Sequence, residues 1–170
     1  MKKTMLMLAA AAAVLVTLVP AGAATTSAPL DRHWLVQSGR TDLFQIAGAR
    51  IANTRATNPS VKQLATNAEG NSAKALNNVG HVAKGLGVHL AGTPTATQHW
   101  ELHVLTTLSG TQFDRMYSWL AESHYVEAIA DAQEVAARGS NAAARALARS
   151  QLPMLRAQLQ LATAAKKAAG

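Results

Sequence analysis

Between residues 61 and 86 the apolar side chains recur three or four apart without a lapse. Val61, Leu64, Ala65, Ala68, Ala75, Leu76, Val79, Val82, Ala83 and Leu86 follow that spacing, with Ser72 as the one polar member of the row. Only a helix gathers such a series onto one face; a half-buried strand would alternate its apolar residues two by two. Alternation of that kind is missing from the rest of the chain too, where Ala, Leu, Gln and Arg dominate. The pattern predicts an all-α protein.

Punctuation divides the chain into helices. Pro29-Leu30-Asp31 opens the first, with Trp34, Leu35, Leu43, Ile46, Ala47 and Ile51 as its expected inner face. Asn58-Pro59 ends it and starts the second, because Asn is a good cap and Pro suits the first helical position. Gly85, Gly87 and Gly92-Thr93-Pro94 mark a connector holding a short helix at about Gln98–Leu108. Thr111 is the expected cap of a third long helix, with Asp114 placed as a capping-box acid, and Phe113, Met116, Tyr117, Leu120, His124 and Ala128 facing inward. The fourth runs from about Asn141 towards Lys167, with a kink expected at Pro153. Four long helices on short or medium connections predict an antiparallel four-helix bundle with a core over about residues 30–168. No internal repeat stands out.

The first 23 residues read as a signal peptide. Lys2 and Lys3 precede an apolar run from Met5 to Val19, and Ala21-Gly22-Ala23 fits a small-x-small cleavage site. That run falls short of the roughly 20 residues that span a bilayer, and no later stretch is apolar enough to be transmembrane. Removing 23 of 170 residues leaves 147, a normal size for a single helical domain over 24–170. The expected location is the periplasm or cell envelope. With no Cys there are no disulfides, thiolate ligands or Cys nucleophiles. Loss of Lys2 and Lys3 lowers the formal charge from +7 to +5, which permits contact with an anionic surface without requiring it.

The chemical signals are few. In QHWELH (98–103), His99 and His103 are four apart and share a helical face, as two metal ligands would. Glu101 lies about 200° round the helix from His99, so it cannot serve the pair as a base. The segment reads as an amphipathic connector with two surface histidines and Trp100 as its apolar anchor. His124 falls on the inner stripe of the third helix, yet no Glu-x-x-His pair accompanies it, and a hydrogen bond to Asn71 or Ser72 is expected instead. Phosphate loop and G-x-S-x-G elbow are both absent, and sparse aromatics exclude a base-stacking nucleic-acid surface. A non-enzymatic protein without a cofactor is expected. In the last helix Arg145, Arg149, Arg156 and Lys167 fall close to whole turns apart and predict a basic stripe. It would either be neutralised by Asp114, Glu122, Glu127, Asp131 and Glu134 or dock on an anionic membrane surface.

Four segments together carry a resemblance: DRHWLVQSGRTDLFQIA (31–47), RATNPSVKQLA (55–65), LSGTQFDRMYSWLAESH (108–124) and LPMLRAQLQLA (152–162). They resemble the bacterial family called domain of unknown function 4142, whose members are exported, ferritin-like helical bundles often labelled as outer membrane proteins. Asp31, Phe113, Asp114, Arg115, Tyr117, His124 and Pro153 fall on its motifs. The resemblance implies Glu at Gln45, Asp-His at Asn71-Ser72 and His at Gln158, so any metal cluster of that fold is here replaced by neutral hydrogen-bonding groups. It implies fold and compartment: an envelope protein acting through protein or surface contacts, with a metal-binding or redox bundle as the alternative.

Overall fold

The computed structural model describes residues 28–170, so the expected signal peptide and the first four residues after it lie outside the described residues. The described chain forms α1 (Pro29–Arg55), α2 (Pro59–Gly85), α3 (Ala96–Thr107), α4 (Gly110–Arg138) and α5 (Ala142–Ala169), and among the described residues there is no strand. The helices begin for local reasons. The Asn58 side chain accepts from Ser60 N ahead of α2, and Asn141 accepts from Ala143 N and Ala144 N ahead of α5. Thr95 and Gln98 form a reciprocal capping box, which starts α3 two residues before the expected Gln98.

The long helices pack in a ring: α1 on α2, α2 on α5, α5 on α4, α4 on α1. The α3 helix lies chiefly on α1 and touches α4. One apolar cluster fills the bundle. Much of it is alanine, with Ala49, Ala52, Ala65, Ala68, Ala144, Ala148, Ala162 and Ala165 fully covered, so the helices approach closely. Phe113 is its largest completely enclosed side chain and stacks on Tyr117, with centroids 5.9 Å apart.

The α2 stripe is buried as its spacing predicts; Leu76, Val82 and Leu86 are half-covered at its margin. On α1, Trp34 and Leu35 are buried as expected, but the later half of the face is turned from the expected one. Leu43, Ile46, Ala47 and Ile51 are half-buried, whereas Asp42, Phe44, Gln45, Gly48 and Ala49 are buried. The cause is tertiary: α2, α4 and α3 all press on α1, which widens and rotates its covered arc. Gly48 leaves room for Tyr117, whose ring would meet a β-carbon there at 3.5 Å. Helix α5 runs through Pro153 in one unbroken span, with the proline on its exposed face.

Asp114 is not a capping-box acid. Helix α4 begins at Gly110, whose φ of +56° suits glycine, and the preceding Ser109 makes no side-chain cap, so Thr111 is not its cap either. Asp114 is 2% exposed and reaches across to the α1–α2 turn, accepting from Thr57 N at 3.1 Å, Asn58 N at 2.9 Å and the Thr57 hydroxyl. At the other end Asp31, fully buried, accepts from Ser140 N at 3.1 Å, Ser140 Oγ at 2.7 Å and Asn141 N at 2.9 Å in the α4–α5 turn. Each α-hairpin therefore has its turn closed by an aspartate of the other hairpin.

These latches reveal an internal repeat, contrary to expectation. Asp31 and Asp114 are 83 residues apart, and so are Thr57 and Ser140, and Asn58 and Asn141. The matching stretches, Asp31-Arg32-His33-Trp34 and Asp114-Arg115-Met116-Tyr117, share only the Asp-Arg pair and an aromatic residue.

Candidate functional site: a polar chamber inside the bundle

A chamber of about 50 Å³ opens among Asp42 and Gln45 of α1, Ser72 of α2, Tyr125 of α4 and Gln151 of α5. All of these side chains are buried, Asp42 being the most exposed at 8%. Asp42 Oδ2, Gln45 Nε2, Gln151 Nε2 and the Tyr125 hydroxyl meet no hydrogen-bond partner. Unpaired polar atoms are costly in a helical core and gather where a polar guest is accommodated. Its wall continues through His124, Glu127 and Asp131 to a surface groove between α1, α3 and α4, where His33, Gln37 and Gln98 join them.

Burial raises the Asp42 pKa well above the ordinary carboxylate value, with no basic group close enough to counter it. Tyr125 is raised too, first by burial and then by Asp42, while the Ser72 hydroxyl opposes the shift in part. Tyr117, another buried phenol without a partner, is raised mainly by burial. At the mouth Asp131 is raised by burial, partly offset by His33.

The sign for Asp42 follows from linkage. A carboxyl that holds its proton more tightly when folded contributes stability below its unfolded pKa, and that contribution is lost as pH rises through the raised value. The polar groups sharing the chamber with Asp42 are Gln45 from α1, Ser72 from α2, His124, Tyr125, Glu127 and Asp131 from α4 and Gln151 from α5, and the one imidazole among them, His124, is engaged by Glu101. In choline buffer, Asp42→Asn is therefore expected to be more resistant to urea than the wild type at neutral pH. That advantage should shrink as pH falls from the raised value and be gone below about pH 4, the unfolded carboxyl range. An equal urea midpoint at neutral pH would contradict the assigned environment.

His124 is placed at the chamber wall, as its inward position predicts, but its partner differs. Its Nε2 lies 2.8 Å from Glu101 Oε2 of α3 and is hydrogen-bonded there, not to Asn71 or Ser72, and its ring packs on Phe44 with centroids 4.4 Å apart. Glu101 does face away from His99 and His103, and that orientation aims it at His124. Both of those histidines are exposed. So is Trp100, at 65%; Leu105, fully buried, is the anchor of α3 instead. Among the described residues no three His, Asp or Glu side chains converge as metal ligands.

Of the positions singled out by the resemblance, Gln45, Ser72 and His124 meet at the chamber. Asn71 is half-exposed beside it, and Gln158 is buried without lining it. Asp31 and Asp114 are latches, and Arg115 Nε donates to Ala169 O, closing the end of α5. Arg145 and Arg149 donate to Gly139 O and Ala136 O at the C-terminal end of α4, a favourable place for cations, and Arg149, Arg156 and Lys167 are the exposed part of the stripe. The acids of α4 do not neutralise that stripe: Glu122 takes Lys166 and Thr163, Glu134 takes Arg138, and Asp114 faces inward. Lys166 and then Thr163 hold the Glu122 carboxyl below its usual range.

Asp42, Tyr125 and Gln151 escaped sequence reasoning. The available signal was helical spacing: Asp42 sits one turn before Gln45, and Tyr125 is beside His124.

A helical bundle of two latched hairpins enclosing a polar chamber defines the class. Residues 17–165 match the family described as Domain of unknown function (DUF4142), and the chain belongs to that family. The crystal structure of a DUF305 fragment from Deinococcus radiodurans has the same fold, with a TM-score of 0.70 over 83% of this chain and 97% of that one, at 17% identity. No curated protein matches.

Proposed function

We propose that the protein is an exported, non-enzymatic component of the periplasm or cell envelope. In this reading it is an antiparallel, ferritin-like four-helix bundle, one domain over 24–170, acting through protein or surface contacts. The observation that carries the reading is Trp119. It is 51% exposed and, with Leu108 and Met116, lines an open apolar groove along α4, with Arg115 and Lys166 at its rim. Val126, two turns on, is also 51% exposed. Rows of large apolar side chains rimmed by charge mark contact surfaces, because leaving them in water forfeits transfer free energy. The signal-peptide pattern of residues 1–23 supports export. Among the described residues no helix is long and apolar enough to cross a membrane.

One experiment in the native cell tests location and contact together. The protein recovered from the envelope fraction should have the intact mass of a chain starting at Ala24 or Thr25. A photo-crosslinking amino acid at position 119 should give a discrete adduct, with protein or with phospholipid, that the same probe at exposed Lys62 does not. Retention of residues 1–23, or identical adducts at both positions, would overturn the reading.

A further inference from the structure

We propose that the internal chamber binds a single monovalent cation, shed of most of its water, with the Asp42 carboxylate as its counter-charge. This goes beyond the surface-contact reading and does not depend on it.

The donor set comes first. Asp42, Tyr125 and Ser72 offer oxygens, and Gln45 and Gln151 offer carboxamides whose oxygen and nitrogen exchange places by a half-turn of the last torsion. These are hard oxygen ligands drawn from four helices. Each side chain is more than nine-tenths buried, and all but Ser72 carry an unpaired polar atom. Such a set suits alkali-type cations and ammonium; transition metals prefer imidazole and thiolate. His124 is the one imidazole in the wall, and its Nε2 is already engaged by Glu101.

Charge decides the sign and the valence. The chamber and its mouth carry the carboxyls of Asp42, Glu127 and Asp131 against two imidazoles, His124 in the wall and His33 at the mouth, so the field favours a cation over an anion. Only Asp42 is enclosed, since Glu127 and Asp131 are exposed at the groove. One buried negative charge balances one positive charge; a divalent ion would leave an uncompensated charge in a low-dielectric interior.

Size and access agree. A water needs about 10–15 Å³ of such space, so about 50 Å³ holds one ion with a water or two. The route in passes Glu127 and Asp131, which attract the ion before Asp42 receives it.

The test is thermal unfolding of the purified protein at fixed pH and equal ionic strength in chlorides of sodium, potassium, ammonium and choline. At least one small cation should raise the melting temperature above the choline value. The rise should grow with the logarithm of the cation concentration, reaching about 3–6 °C when the cation is about tenfold above its dissociation constant. Asp42→Asn should abolish the cation preference, and Gln151→Leu should weaken it about tenfold with the carboxylate left in place. Identical melting in all four chlorides would mean that the chamber holds water alone. That result, or a folded Asp42→Asn or Gln151→Leu protein that keeps the full preference, overturns the proposal.

Discussion

Replacing Asp114 with alanine is expected to lower the melting temperature by about 6–12 °C, on the scale of 2–4 °C per kcal/mol for a chain of this size. The carboxylate accepts from two backbone amides and a hydroxyl at the α1–α2 turn, and is itself buried. Removing it strands Thr57 N and Asn58 N at the head of α2, where no helical carbonyl can reach them. Losing charge-assisted bonds and leaving part-buried donors unpaired costs about 3 kcal/mol. Asp31→Ala should behave alike at the opposite end, through Ser140 and Asn141. The two losses should nearly add, because the sites share no partner. Asp114→Asn should recover part of the loss, since one amide oxygen can still accept. Exposed Asp131→Ala serves as the control: if Asp114→Ala shifts melting no more than that variant does, the latch is energetically idle.

Phe113→Ala should be the most damaging single truncation, at about 3–5 kcal/mol. Phe113 is fully enclosed and stacks on Tyr117, and α4 is held on both flanks by α1 and α5, so the space it leaves cannot close. Urea unfolding should show a lower midpoint with an unchanged slope, because the folded state would be holed and not loosened. The exposed Trp119→Ala, one helical face away, should change the midpoint little. A Phe113→Ala midpoint equal to that of Trp119→Ala would mean that the end of the core is plastic.

What could be read from the sequence was whatever depends on neighbours within a helix. The α2 stripe and the Asn58-Pro59 boundary came out correctly, because periodicity and capping are local. Glu101 was rightly turned away from His99 and His103 by helical geometry alone. The direction it faces instead depends on how α3 lies on α1 and α4, so His124 received the wrong partner. Asp114 was misassigned for a related reason: an acid three residues after a Thr looks the same whether it folds back on its own helix or reaches to another. The α1 face was misjudged because hydrophobicity ranks Leu43 and Ile46 above Asp42 and Gln45, and only the bundle shows that a polar chamber sits there. The repeat went unseen because an Asp-Arg pair, an aromatic residue and a turn Asn are nearly all that its two halves still share.

The crossed aspartate latches have a consequence for ancestry. A single hairpin made alone would leave the amides of its turn without their carboxylate and carry an aspartate with nothing to hold. Two copies of it, set head to tail, would satisfy both needs at once. The constant offset of 83 residues fits a gene duplication that fused such a homodimer into one polypeptide, with the stretch bearing α3 as the later splice. Chains cut within residues 87–94 should then reassemble as complementary fragments, each lending the other its aspartate.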